Sequence, residues 1–124
     1  MNSRITEAEW EVMECLWTRG NMAANEIFEA IRQRKSWTDK TVKSLINRLL
    51  NKEVISFVKK GRRYEYYPLV ERSHCIQVEK RSFLERLFGG RPMSAIVHFI
   101  NEEQLTREEI DELKQMLDEK RSDS

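Results

Sequence analysis

The sequence predicts a mainly α-helical chain with one small β-hairpin, and three observations carry that reading. Apolar residues recur at helical spacing in six separate stretches. Strand-like alternation occurs once, where Ile55 and Phe57 precede Gly61 and Tyr64 and Tyr66 follow it. Only four glycines and two prolines punctuate the 124 residues, while 35% of them are charged. That balance suits soluble helices better than a turn-rich sheet protein.

The first helix opens at a capping box, Thr6 with Glu9. It carries Trp10, Met13, Leu16 and Trp17 on one face and stops at Gly20. Trp and Met at this spacing read as core rather than as a ligand box. A second, short helix is expected over Ala24 to Gln33, with Ile27, Phe28 and Ile31 turned inward. The third begins after Thr38 as N-cap and buries Val42, Leu45, Ile46, Leu49 and Leu50. Its outward face carries Lys40, Thr41, Lys43, Ser44, Asn47, Arg48 and Asn51, groups suited to phosphates and base edges.

Next comes the hairpin, expected to bury one face through Ile55, Phe57, Tyr64 and Tyr66, with Lys59, Lys60, Arg62 and Arg63 around Gly61 at its tip. The tyrosines admit a second reading, as a stacking platform for single-stranded nucleic acid, although packing against Ile55 and Phe57 accounts for them better. Two short helices, a turn, a longer basic helix and a hairpin make a winged helix-turn-helix. In that geometry Lys40, Thr41 and Ser44 face bases, whereas Arg48 and the tip cations lie against backbone phosphates.

Charge agrees with this placement. From Arg32 to Arg63 there are eleven Lys and Arg against Asp39 and Glu53, a local net of +9 in a chain whose formal net charge is +1. A lone charge run is usually a solvated face, but here it coincides with a capped helix and a hairpin tip, the electrostatic footprint of nucleic-acid binding.

After Pro68 the chain returns to helix. Ile76, Phe83, Leu84, Leu87 and Phe88 lie on one side up to Gly89 and Gly90. Met93, Ile96, Val97 and Ile100 follow at helical spacing. A second capping box, Thr106 with Glu109, then opens a last helix bearing Ile110, Leu113 and Leu117. Helices this short need a partner surface for their apolar stripes. A second copy of the chain is the expected partner, the other reading being a fold-back onto the head. Residues 1–70 carry net +4 and residues 71–124 net −3, which suggests two jobs. The expected organisation is therefore a winged-helix DNA-binding domain over 1–70 and a helical dimerisation domain over 71–124. In the second, Phe83, Leu87, Met93, Ile96, Val97, Ile100, Ile110, Leu113 and Leu117 form the contact, and a polar tail runs from Glu119 to Ser124.

Several function classes are not supported. No run approaches the roughly 18 apolar residues of a membrane span, and MNSRITEAEW lacks the apolar core of a signal peptide, so a cytoplasmic protein is expected. Cys15 and Cys75 read as buried free thiols, and with His74 and His98 they make no metal-ligand spacing. Without a nucleophile–base constellation, a glycine-rich phosphate loop or a carboxylate cluster beside the basic helix, the sequence offers no catalytic residues, no metal site and no cofactor site.

The chain resembles the penicillinase repressor family, which includes the beta-lactamase, methicillin-resistance and copper-responsive repressors of Gram-positive bacteria. The resemblance runs from about Ile5 to Leu117. It is carried by Thr6-Glu7-Ala8-Glu9-Trp10-Glu11-Val12-Met13, Lys40-Thr41-Val42 with Leu49, Tyr66-Tyr67-Pro68-Leu69-Val70, Phe88-Gly89-Gly90, and Leu105-Thr106 with Glu109-Ile110 and Leu113. It implies a homodimer whose winged helices bind a palindromic operator with TACA and TGTA half-sites. Base reading then falls to Lys40, Thr41 and Ser44, and phosphate contact to Lys43, Arg48, Lys59, Lys60, Arg62 and Arg63. Copper-responsive members end in a cysteine-rich hook, and no cysteine follows Cys75 here, so copper sensing is disfavoured. In beta-lactam-responsive members a membrane sensor-protease leads to cutting of an Asn-Phe bond. The matching pair is His98-Phe99, either a cleavage position with altered specificity or an ordinary stretch of helix.

The sequence therefore leads to a dimeric, sequence-specific DNA-binding repressor that occupies promoter DNA, with relief through cutting or loosening of the C-terminal segment. The competing reading is a winged-helix interaction adaptor with no preference for a palindrome.

Overall fold

A computed structural model of the chain describes residues 4–123; the first three residues of the amino-terminal stretch and Ser124 of the polar tail lie outside them. The order is α1 (Glu7–Arg19), α2 (Ala24–Ile31), α3 (Asp39–Asn51), β1 (Ile55–Lys60), β2 (Arg63–Pro68), α4 (Arg72–Phe88), α5 (Pro92–Glu102) and α6 (Arg107–Ser122). Two compact units result, Met1–Gln77 and Val78–Ser124.

In the first unit α1, α2 and α3 pack around Val12, Met13, Leu16, Ile27, Ile31, Val42, Ile46 and Leu49, all essentially without exposed surface. The caps are those the sequence supplies. Thr6 Oγ1 accepts from Glu9 N at 3.2 Å while Glu9 Oε1 accepts from Thr6 N at 2.8 Å, and Thr38 Oγ1 accepts from Thr41 N at 3.2 Å. Ala23, the N-cap of α2, has no side chain to offer, so only the return half of a box forms, with Glu26 Oε1 accepting from Ala23 N at 2.9 Å. The second helix ends at Ile31, two residues before the expected Gln33.

α3 closes with Val54 N donating to Leu49 O at 3.3 Å and Glu53 N to Leu50 O at 3.0 Å. Glu53 sits at φ +62°, the left-handed residue that such a helix end requires. This places β1 directly on the end of α3. β1 and β2 pair antiparallel with Phe57 opposite Tyr66 and Lys60 opposite Arg63, and Gly61 turns at φ +66°.

The fully buried hairpin face expected from the alternation is not found. Ile55 is buried and Tyr66 packs against the core, but Phe57 and Tyr64 are 45% and 43% exposed. Only the base of the hairpin reaches the core; further out Phe57 stacks edge-on against Tyr64 at 5.1 Å, so the two aromatics cover each other instead.

Two contacts seat the start of α4 on α1. Arg72 Nε and Nη2 donate to the two oxygens of Glu14 at 2.7 and 3.1 Å, and Trp17 Nε1 donates to Val70 O at 2.9 Å. Cys15 and Cys75 are buried free thiols in this unit, and burial pushes the Cys15 thiol up in pKa.

The second unit is thinly cored. Phe83, Phe88 and Phe99 cluster with centroids 5.7 to 6.4 Å apart, and Ala95 is buried. α6 is opened by Thr106 and Glu109 as expected, and runs on through Ser122, so most of the polar tail is helix. Among the described residues no helix is long and apolar enough to cross a membrane.

Candidate nucleic-acid interface

α3 is amphipathic in the way the interface needs. Val42, Leu45, Ile46 and Leu49 hold it to α1 and α2, which leaves Lys40, Thr41, Lys43, Ser44 and Arg48 on the exposed face. Thr38 fixes where the helix starts, and its hydroxyl also lies 3.1 Å from that of Thr41, so Thr41 is oriented by the cap. Lys43 leans back to Asp39 at 3.0 Å, one turn earlier. The beginning of α3 and the hairpin tip meet at a groove of about 510 Å³ that includes Asn25, Asp39, Lys43, Arg62, Arg63 and Tyr64 in its walls. Residues far apart in sequence are thus assembled into one positively lined surface.

The basic stripe is less free than its sequence count suggests, because acids from outside it fold onto it. Arg32 pairs with Glu29 at 3.2 Å, Arg34 with Glu11 at 2.6 Å and Lys52 with Glu9 at 2.5 Å. Lys60 pairs with Glu65 at 3.2 Å, and Arg63 with both Glu26 at 2.5 Å and Glu65 at 3.0 Å. Hydrogen bonds from Arg63, then Lys60, hold the Glu65 carboxyl below its usual range. Lys59 lies over the Tyr64 ring at 5.9 Å. Lys40, Arg48 and Arg62 have no acid partner among the described residues. Glu26 and Glu65 were not singled out by the sequence reading; Glu65, two residues after Arg63 in β2, shares its strand face, whereas spacing carries no sign that Glu26, 37 residues earlier, would meet it.

The family can now be read from comparison. Residues 5–119 match the family described as penicillinase repressor. The chain belongs to the penicillinase repressor family. It is 36% identical over 116 residues to the methicillin resistance regulatory protein MecI of Staphylococcus aureus strain N315, covering 94% of each chain. It is 34% identical over 116 residues to the penicillinase repressor of Bacillus licheniformis, covering 94% of this chain and 91% of that one. Among solved structures, it resembles the monomeric form of Bacillus licheniformis BlaI in complex with the blaP half-operator. That match has 29% identity and a TM-score of 0.53 over 59% of this chain and 89% of that one. The three helices and hairpin of the first unit make a winged helix-turn-helix like that of BlaI, followed by the helices of the C-terminal segment.

In this family setting the second unit is notable for what it leaves in water. Leu87, Met93, Ile96, Val97, Ile100, Ile110, Leu113 and Leu117 are between 37% and 68% exposed, whereas Phe83 is partly covered by Phe88 and Phe99. His98 and Phe99 lie inside α5, with the Phe99 ring nearly parallel to Phe83 and His98 5.6 Å from Phe88.

Proposed function

We propose that the chain is a sequence-specific DNA-binding repressor that works in the cytoplasm as a homodimer and blocks transcription by occupying a palindromic operator. The observation that carries this is the exposed polar face of α3 beside the groove shared by Lys43 and Arg62. The likeness to BlaI on its half-operator supports the DNA reading. In this reading Lys40, Thr41 and Ser44 address bases, while Lys43, Arg48, Lys59 and Arg62 address phosphates. The exposed apolar side chains of α5 and α6 support pairing with a second copy, since a surface of this kind is removed from water by self-association. Two heads on one operator raise each other's local concentration, so loosening or cutting the C-terminal segment releases DNA without changing any contact to it. The family resemblance makes a membrane sensor-protease the candidate source of that signal, and His98 in place of asparagine calls for a changed cleavage specificity. The interaction-adaptor alternative is not favoured by the family match.

Selection of bound duplexes from a random library tests the proposal. A palindrome bound far more tightly by the full chain than by one ending at Val97 is the expected result. Enrichment of no sequence would overturn it.

A further inference from the structure

Four cations surround the hairpin tip, but the structure treats them differently. Arg62 stands at the turn, and Lys59 lies over Tyr64. Lys60 and Arg63 instead converge on Glu65, whose side chain is only 15% exposed, and each takes one of its oxygens. Arg63 also reaches out of the hairpin to Glu26 Oε1, the oxygen that accepts from Ala23 N at the start of α2.

This tie completes another. Met22 and Tyr66 exchange backbone hydrogen bonds of 3.1 and 2.8 Å, which pins the middle of β2 to the segment before α2. Held there alone, the hairpin would project three residues, a lever of roughly 10 Å at the rise of a strand. The Arg63–Glu26 contact moves the outermost attachment to the first residue of β2, so that little beyond the turn remains unsupported. A guanidinium suits this role because its fork serves two carboxylates at once.

We propose that Arg63, held by Glu26 and Glu65, is a positioning residue that sets how the wing presents Arg62 to the DNA backbone, and that it is not itself a phosphate contact. This rests on the operator-binding reading above. Because Glu26 and Glu65 are negative, the inference makes an unusual demand: removing either charge from the DNA-binding head must weaken binding.

The test is operator affinity of the full chain on the duplex that the wild type selects from a random library, for Glu26→Gln, Glu65→Gln, Arg62→Ala and each glutamine variant combined with Arg62→Ala. Glutamine at position 26 keeps an oxygen for Ala23 N, and unchanged thermal unfolding confirms the fold. The expected result is a loss of about three- to tenfold for either glutamine variant. Arg62→Ala is then expected to cost about fivefold in the wild type and less than about twofold in either glutamine background. Unchanged or tighter binding by the glutamine variants, or an equal cost of Arg62→Ala in all backgrounds, would overturn the proposal. If the wild type selected no duplex, the operator reading itself would fail and the positioning role with it; that outcome is visible before any variant is made.

Discussion

Lys52 Nζ lies 2.5 Å from Glu9 Oε1, a carboxylate with no exposed surface, and so joins the end of α3 to the start of α1. The same ammonium donates to Arg4 O at 2.8 Å. Replacing Lys52 with Met would strand a buried charge, and the expected loss is about 3 kcal/mol of unfolding free energy. Urea titration of the wild type and Lys52→Met reads it directly; a loss below about 1 kcal/mol would show that the pair is not holding the helices together.

Acid should act on the same bond. Burial by itself raises the Glu9 carboxyl, but hydrogen bonds from Lys52 and Thr6, together with the Lys52 charge, more than offset it and leave the group below its ordinary 4.5. The Glu14 carboxyl is likewise depressed, chiefly by its hydrogen bond from Arg72. A carboxyl lowered on folding contributes stability that is fully present above its unfolded value and is lost as pH falls through the folded one. Unfolding midpoints should therefore be flat down to about pH 5 and drop below it. In Lys52→Met the part of that drop due to Glu9 should vanish.

On DNA, Lys40→Ala and Ser44→Ala are expected to relax sequence preference, each by about 1 to 3 kcal/mol of discrimination. Arg62→Ala should instead weaken all sequences alike and reduce the slope of log affinity against log salt by about one. Binding isotherms at several salt concentrations distinguish the two behaviours, and identical slopes for wild type and Arg62→Ala would remove Arg62 from the phosphate contacts.

Charge placed in the apolar surface of the last helix should separate the copies. Leu113→Glu and Leu117→Glu are expected to shift sedimentation from dimer to monomer and to weaken full-operator binding at least tenfold, with half-site binding by a single head unchanged. A variant that stays dimeric would place the interface elsewhere.

Much of this was legible in the sequence because its signals are local. Thr6 with Glu9, Thr38, and Thr106 with Glu109 announce three helix starts within four residues each, and all three form as expected. Gly61 between two alternating runs announces the hairpin. Contacts across long separations were not legible. Glu9 reads as a capping residue, yet its ammonium partner is 43 residues away. Arg63 reads as a free tip cation, yet Glu26 is 37 residues away. Counting charges inside a window assumes that neighbours in sequence are neighbours in space, and the net of +9 was inflated by that assumption. Phe57 failed for a related reason: alternation fixes which face a side chain joins, while the length of hairpin that reaches the core depends on where the helices end.

The half-exposed side chains of α5 and α6 also make the chain's own abundance a variable. For the proposed dimer, two chains must meet before that surface leaves water, so where single chains predominate the paired form rises with the square of their concentration. Halving the supply then leaves about a quarter of the pairs. Promoter occupancy thus follows synthesis and turnover of the polypeptide steeply, a dose response that needs no ligand.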